Sequence, residues 1–376
     1  MTRNILYVSL FGGLGGGETS LLAYLRALDR THYAPRVICG AHGAFVDALC
    51  ENNIPVQVIP FAPISKRNIS RDFFYALYQD LRAQPTALIH CNNSEGAHYA
   101  APFAKFLGMP LVLTMHGAWQ LERQWKRTFI EWSTTCVLTP TQLLAQTFLQ
   151  KNPRMRERIT VLPFGVDTRE FSPGARDETL ADEFGIARDA SIVTLLARFQ
   201  SVKGHANLLD AIPRILDAFP GTRFLFVGDA AFDTRDANET RRAVLERVNA
   251  DARLRAAIVF AGFRRDIPRV LRATDVLVSP SDFESYGMAI LEAMACGVPV
   301  VSTNVGGPSE TLLEGETGFL IPPRDPNALA ARVIQLLANR DLRYAMGANG
   351  RRRVETHYAL ADSVARLQDI YSGLCR

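Results

Sequence analysis

Short apolar runs alternate with longer amphipathic stretches along the whole chain. Each run is rich in Val, Ile, Leu or Phe and is followed by glycine, proline or polar residues, a pattern typical of a buried strand. The stretches between the runs carry apolar residues at helical spacing. The predicted strands are Ile5–Leu10, Arg36–Cys39, Ala87–His90, Leu111–Thr114, Cys136–Thr139, Ile192–Leu196, Phe224–Val227, Ile258–Ala261, Val276–Ser279 and Val298–Ser302.

This alternation predicts an α/β fold in which parallel sheets are covered by helices on both faces. Two sets of strands imply two doubly wound, Rossmann-like domains facing across a cleft, which we place at residues 1–168 and 169–355. Residues 356–376 form a last predicted helix, with apolar positions at Leu360, Val364 and Leu367. A length of 376 residues and a hydrophobic content of 48% are enough for two separate cores.

The charge of the chain is small and mixed in sign. A formal net charge of +4 with interspersed bases and acids argues against a nucleic-acid partner but permits binding of anionic ligands or lipid surfaces. The six cysteines have no metal-ligand or redox spacing, so we expect them to be reduced. No apolar stretch approaches the ~18 residues needed to cross a bilayer, and the N-terminus runs directly into a predicted strand. We therefore expect a cytoplasmic protein, with peripheral contact to the inner membrane face as an open alternative.

Two glutamates flank the start of a predicted helix within Phe283–Gly297. Glu284 should lie on the loop before the helix and Glu292 about two turns inside it, roughly 10 Å further along the axis. Between them, the free backbone N–H groups near Ser285, Tyr286 and Gly287 could bind an anionic phosphate without a metal. The order of hydroxyl, diphosphate and hydroxyl sites matches a nucleotide sugar. Two solvated glutamates on a surface helix would give the same pattern.

Two cations follow the predicted strand Ile192–Leu196. Arg198 and Lys203 leave the carboxyl end of this strand, the edge at which ligands bind in open parallel sheets. The planar fork of Arg and the point charge of Lys together suit a diphosphate. Such a pair alone is most often solvated, but with the two glutamates downstream the phosphate clamp is the better interpretation.

Taken together, these motifs resemble those of the retaining nucleotide-sugar glycosyltransferases of family 4, which have the two-domain GT-B architecture. The resemblance covers nearly the whole chain. The matching segments are Glu284 with Glu292 and the following Ala293–Val301, Arg198 with Lys203 and Gly204, the interdomain linker at Val161–Asp167, a glycine loop at Gly306–Glu310, and a strand with histidine at Leu111–Gly117.

The resemblance implies a role for each matching residue. It implies that His116, Arg198, Lys203 and Glu284 are catalytic, and that the final helix crosses back onto the first domain. It also implies metal-free transfer, from a UDP-sugar in preference to a GDP-sugar, with retention through front-face attack and no cofactor beyond the co-substrate. The implied donor-binding residues are Gly12, Gly13, Gly15, Gly16, Phe263, Arg264, Ser285, Tyr286, Gly287, Met288 and Glu292.

Other functions share parts of this pattern. The glycine cluster Gly12–Gly17 suggests a dinucleotide-dependent oxidoreductase, but no Gly-x-Gly-x-x-Gly register fits and no acid follows the second strand. Asp282 with Glu284 resembles a divalent-metal pair, although we expect Asp282 to cap the following helix. A nucleotide-sugar epimerase of the same fold, and less favourably a non-catalytic sensor, stay as alternatives.

The acceptor is not defined by the sequence and could be a sugar, a lipid-linked molecule or a small molecule. Asn92 and Asn93 follow a strand of the first domain and could bind a polar acceptor, although an ordinary turn would look the same. Two basic and aromatic segments could dock on an anionic membrane, although aromatic residues at helical spacing are more often core. One has Lys66, Arg67 and Arg71 ahead of Phe73, Phe74, Leu77, Tyr78 and Leu81; the other has Lys126 and Arg127 beside Trp119, Trp125 and Trp132.

Overall fold

The computed structural model describes residues 2–60, 70–117, 123–230 and 234–375. The strands are β1 Arg3–Ser9, β2 Tyr33–Cys39, β3 Val56–Val58, β4 Leu88–Cys91, β5 Leu111–Thr114, β6 Cys136–Thr139, β7 Ile159–Val161, β8 Ile192–Leu196, β9 Arg223–Val227, β10 Ile258–Gly262, β11 Val276–Ser279, β12 Val300–Thr303 and β13 Gly318–Ile321.

The helices alternate with these strands. They are α1 Gly16–Ala27, α2 Ala44–Glu51, α3 Arg71–Ala83, α4 Ser94–Phe106, α5 Gln124–Ser133, α6 Gln142–Lys151, α7 Glu178–Glu183, α8 His205–Ala218, α9 Arg235–Ala250, α10 Ala252–Ala257, α11 Ile267–Ala273, α12 Met288–Ala295, α13 Pro308–Thr311, α14 Pro326–Ala338, α15 Arg340–His357 and α16 Leu360–Leu374.

The chain divides into two compact units, which are Met1–Gly165 with Leu360–Arg376, and Val166–Ala359. The first contains a parallel sheet of order β3-β2-β1-β4-β5-β6-β7, and the second a parallel sheet of order β10-β9-β8-β11-β12-β13. The predicted pair of doubly wound parallel-sheet domains is confirmed. In each sheet the strand order reverses at its centre, between β1 and β4 and between β8 and β11, which is where ligands bind in such folds.

The three strands that the sequence pattern did not predict are β3, β7 and β13. Each of them lies at the edge of its sheet. β3 and β7 are only three residues long and partly buried, so they lack the longer apolar run by which the central strands were recognised. β13 is four residues long and mostly buried, and its apolar run Gly318–Ile321 was missed. Their addition extends the sheets without altering the centre of either one.

The C-terminal helix α16 belongs to the first unit, where it is held by buried polar contacts. The hydroxyl of Tyr371 lies 2.9 Å from that of Tyr7 and also bonds Nδ1 of His90, whose Nε2 lies 2.7 Å from the hydroxyl of Thr114. Both tyrosines are fully buried, and a buried hydroxyl needs such partners to offset its lost hydration. The helix is therefore fixed to the centre of the first sheet.

Candidate functional site

The turn before α12 forms the first part of the site. Gly287, with φ of 89°, ends the turn, and the helix begins at Met288. Glu292 is therefore little more than one turn inside the helix, and the predicted spacing of two turns is wrong. The N–H groups of Ser285, Gly287 and Met288 donate to no other residue in the described part of the chain. These donors, at the positive end of a helix dipole, can bind an anion.

A glycine loop after β12 packs against the turn before α12. The N–H of Gly307 donates to the carbonyl oxygen of Glu284 at 3.0 Å. A Cβ atom on Gly306 would lie 1.9 Å from the same oxygen, and one on Gly307 would lie 2.4 Å from Cα of Tyr286. Any side chain at these two positions would displace the turn that carries Glu284.

Two loops of the second unit bring a cation and a carboxylate together. Nζ of Lys203 lies 2.7 Å from Oε2 of Glu284, and the two side chains are only 19% and 15% exposed. Gly204, with φ of 73°, makes this approach possible because a Cβ there would lie 1.9 Å from the carbonyl oxygen of Pro280. Arg198 follows β8 on the same loop, and its Nη2 donates to Oε1 of Gln200 at 3.3 Å. The loop therefore carries two cations at the strand-order reversal of the second sheet.

Glu292 is a buried carboxyl group. Glu292 is only 8% exposed. Burial raises its pKa to about 7, and the nearby charge of Glu170 acts in the same direction. At neutral pH this group exchanges readily between a form that donates and a form that only accepts hydrogen bonds, which suits the recognition of paired hydroxyls.

The side chains of Asp282 and Arg264 both form ion pairs in the second unit. Asp282 accepts a 2.9 Å bond from Arg324 and Gly287 holds the cap position of α12, so the predicted cap by Asp282 is wrong. The guanidinium of Arg264 donates to Glu183 and to Asp266, both at 2.6 Å. Only the backbone of Arg264 is then available to a ligand.

Phe263 is exposed, unlike its mostly buried neighbour Arg264. It follows β10 directly, and its side chain is 51% exposed. An exposed ring at the carboxyl end of a strand can stack on a flat ligand.

His116 is the central candidate in the first unit. Its Nε2 lies 3.1 Å from Oδ1 of Asn92, and its ring centroid is 5.5 Å from that of Phe164. Burial lowers its pKa to about 4, so the imidazole is neutral at physiological pH. A neutral ring held in this way can hydrogen-bond a ligand hydroxyl without adding charge.

Gly17 was not singled out by the sequence pattern. A Cβ atom at this position would lie 2.9 Å from Cε1 of His116. The absence of a side chain therefore lets the first turn of α1 lie directly against the imidazole. Its only signal in the sequence is its place at the end of the glycine cluster.

The other glycines of the cluster differ in their surroundings. Gly12 must be glycine because a Cβ would lie 2.2 Å from the carbonyl oxygen of Ala41. Gly15 is the N-cap residue of α1 and Gly16 is its first residue. Gly13 is half-buried and Gly16 is exposed. The cluster thus forms the turn that leads from β1 to the residues beside His116.

Asn92 and Asn93 directly follow β4. Asn93 caps α4, since its Oδ1 accepts a 2.8 Å bond from the N–H of Gly96. Both Nδ2 atoms are buried and have no hydrogen-bond partner in the described part of the chain. The pair combines a structural role with two buried donors beside the sheet centre.

Within residues 2–60, 70–117, 123–230 and 234–375, no group of three or more His, Cys, Asp or Glu side chains is placed to hold a metal ion. None of the helices in those ranges has the length and apolar character that a membrane crossing requires.

Comparison with known families assigns the chain to a class of enzyme. Residues 14–170 match the family described as Glycosyltransferase Family 4, and residues 177–353 match the one described as Glycosyl transferases group 1. The chain belongs to the group 1, family 4 glycosyltransferases and has their GT-B fold. It is therefore a transferase, which sets aside the oxidoreductase and epimerase alternatives.

Individual relatives agree with this assignment. The chain is 26% identical to the Escherichia coli UDP-Gal:alpha-D-GlcNAc-diphosphoundecaprenol alpha-1,3-galactosyltransferase, over 98% of this chain and 96% of the relative. It is 27% identical to the putative glycosyltransferase EpsD of Bacillus subtilis strain 168, over 85% and 84%. Among solved structures, Anabaena Alr3699/HepE in complex with UDP-glucose superposes with a TM-score of 0.86 at 24% identity, over 99% of this chain and 100% of the other.

Proposed function

We propose that this protein is a retaining, metal-independent glycosyltransferase that moves a sugar from a UDP-sugar to a hydroxyl acceptor. The acceptor would belong to polysaccharide, glycolipid or small-glycoside biosynthesis. The observation that carries the proposal is the contact of Lys203 with Glu284 beside the N–H groups at the start of α12 that donate to no described residue. UDP as the nucleotide is supported by the E. coli relative, named for UDP-Gal, and by the complexes of Anabaena HepE with UDP and UDP-glucose.

The donor diphosphate is assigned to the cations and the helix start. Arg198 and Lys203 would neutralise the charge that develops on the departing UDP, assisted by the N–H groups of Gly287 and Met288. These groups supply the positive charge that a divalent ion supplies in other nucleotide-sugar enzymes, so no metal is required. Ser285 and Tyr286 belong to the same turn.

The two glutamates are assigned to hydroxyl groups at the two ends of the donor. When the diphosphate draws Lys203 toward itself, Glu284 becomes free to accept hydrogen bonds from the sugar. Glu292 would accept hydrogen bonds from the ribose, a contact that favours its ionised form. The ring of Phe263 and the backbone of Arg264 would border the base.

His116 is assigned to the donor sugar near its reacting carbon, where the neutral ring positions a hydroxyl. The acceptor oxygen would attack the anomeric carbon from the face that UDP leaves. A bond from this carbon to the acceptor oxygen forms as the bond to the phosphate oxygen breaks, and the acceptor proton passes to the departing diphosphate. Retention of configuration follows because entry and departure share one face.

Calorimetric titration of UDP, GDP and ADP in the presence of EDTA tests the donor site. We expect UDP to bind wild type, and Arg198→Ala to weaken binding about tenfold or more. The matched control is Arg235→Ala, which removes a 90% exposed side chain of the same unit. Binding that appears only after Mg²⁺ or Mn²⁺ is added would refute metal independence, and binding of none of the nucleotides would refute the donor site.

A further inference from the structure

Helix α5 carries a second apolar surface besides the one that packs in the core. Ile130 is fully buried in the core, whereas Trp125 and Trp132 are 43% and 51% exposed. These two residues and Phe129 follow the i, i+4, i+7 spacing of a single helix face, and together they line one groove. We call Trp125, Phe129 and Trp132 the aromatic face of α5.

The apolar surface continues onto the end of α4. Nζ of Lys105 lies 5.8 Å from the ring centroid of Trp132, which places the end of α4 beside the end of α5. The next two residues, Phe106 and Leu107, are 88% and 50% exposed. Large apolar side chains grouped in this way on a surface indicate a binding interface.

The charge around the aromatic face is positive. Lys126 lies 6.0 Å from the ring centroid of Trp125, and Lys105 and Arg123 form no ion pair with any described residue. The two glutamates of α4 and α5 are both occupied by cations, Glu95 by Lys126 at 3.4 Å and Glu131 by Arg154 at 3.8 Å. Within the described ranges, the surface therefore presents two cations without an acidic partner, Lys105 and Arg123, near exposed indole rings.

We propose that the aromatic face of α5, together with Phe106 and Leu107, docks on an anionic lipid bilayer. Indole rings are most stable at the level of the lipid headgroups, and each lysine or arginine near an anionic surface adds to the attraction. The charge complementarity selects a membrane over a neutral apolar partner. Contact is peripheral, since the helix lies in the interface plane with its opposite side packed on the protein.

This surface is connected to the part of the first unit where the acceptor was expected. The ring of His98 lies 5.1 Å from that of Trp125 and 5.0 Å from that of Phe129. His98 is on α4, which begins directly after Asn92 and Asn93. A lipid-linked acceptor held in the bilayer would then present its sugar to the start of α4; this last step rests on the proposed function.

The two segments that the sequence offered for membrane contact differ in the burial of their apolar residues. In the segment on α3, Phe73 and Leu77 are fully buried in the core, so that interpretation is wrong for these residues. Lys66, Arg67 and Trp119 lie outside the described residues. The aromatic face of α5 is the part that the described structure supports.

Sedimentation with lipid vesicles tests the proposal. We expect wild type to pellet with vesicles of phosphatidylcholine containing phosphatidylglycerol and to stay in solution with phosphatidylcholine alone. The double substitution Trp125→Ser with Trp132→Ser, and separately Lys105→Glu, should each weaken binding about tenfold. The matched control is Tyr344→Ser, because Tyr344 is 63% exposed and lies under Arg340 in the second unit.

Sedimentation and light scattering distinguish a membrane from a second copy of the chain as the partner of the aromatic face. Wild type that stays in solution with anionic vesicles, or variants that bind as well as the Tyr344 control, would overturn the proposal. A wild-type dimer in light scattering that the double substitution converts to monomer would assign the face to a second copy of the chain instead. Titration of UDP on the same proteins shows whether the variants are folded, and its failure in wild type would refute the proposed donor site without affecting the sedimentation result.

Discussion

Nζ of Lys203 lies 2.7 Å from Oε2 of Glu284, although the two residues are far apart in the sequence and lie on loops after different strands. Each is mostly buried, so each neutralises a charge that would otherwise be costly to hold away from water. An arriving diphosphate would compete with Glu284 for the lysine. Glu284 thus holds Lys203, one cation of the proposed diphosphate clamp, in position until the donor binds.

Substitution on the two sides of this pair should have different effects. Lys203→Ala removes a phosphate ligand and leaves Glu284 unpaired, so we expect UDP affinity to fall about tenfold and transfer to fall about 10²-fold or more. Glu284→Gln keeps the lysine free for phosphate, so UDP affinity should be unchanged or higher while transfer is lost. Calorimetry with UDP and a sugar-transfer assay distinguish the two. Equal loss of UDP binding in both variants would contradict the assigned division of roles.

The glycine loop at Gly306 and Gly307 should be required for transfer, because it packs against the turn that carries Glu284. Gly307→Ala places a methyl group 2.4 Å from Cα of Tyr286, which must push the turn and Glu284 out of place. We expect transfer to fall about 10²-fold, as for displacement of a reacting group by about 1 Å. The control is Gly221→Ala, since a Cβ there meets nothing within 4 Å. Full activity in Gly307→Ala would show that the turn does not need this support.

Glu292 should reduce stability while serving the donor site. Between its ordinary pKa of 4.5 and its native pKa of about 7, the native state holds a proton that the unfolded chain has lost. Stability therefore falls as pH rises through this window, by an amount of the order of 3 kcal/mol. Below pH 4.5 both states are protonated and the penalty disappears.

The isosteric substitution Glu292→Gln cannot ionise, so its melting temperature should exceed that of wild type at pH 8 and match it near pH 4. UDP binding should weaken, because the amide has an NH₂ donor in place of the second acceptor oxygen of the carboxylate. Thermal unfolding across this pH range is the measurement, with the exposed Glu239→Gln as control. A melting temperature at pH 8 no higher than that of wild type would show that burial does not penalise this carboxylate.

Gly17 should matter for catalysis and not for helix stability. Alanine usually stabilises a helix relative to glycine by up to about 1 kcal/mol, but here its methyl group would lie 2.9 Å from Cε1 of His116. We expect Gly17→Ala to lower kcat about tenfold or more through displacement of the imidazole. Gly373→Ala in α16, where a Cβ meets nothing within 4 Å, should keep full activity. Unchanged kcat in Gly17→Ala would remove His116 from the reacting end of the donor.

The candidate site was only partly accessible from the sequence. Arg198, Lys203 and Glu284 could be found because charged residues directly after apolar runs lie at the carboxyl edge of a parallel sheet. The contact of Gly17 with His116 could not, since it depends on how α1 lies against the sheet. The hydrogen bond between the same ring and Oδ1 of Asn92 could not either, since it depends on β4 and β5 being neighbours in the sheet. The bonds from Arg264 to Glu183 and Asp266 could not be predicted either, because Glu183 lies on α7, far from Arg264 in the sequence.

The sequence by itself determined the central strands, the two-domain α/β class and the family, because buried parallel strands and glycine-bearing loops leave local patterns that do not depend on the rest of the fold. Only the tertiary structure decided which charges meet, which glycines are required for close packing, and which aromatic residues are core or surface. Phe73 and Trp125 both occur at helical spacing, yet one is fully buried and the other is 43% exposed. Spacing fixes which residues share a helix face, whereas burial depends on what the rest of the chain places against that face.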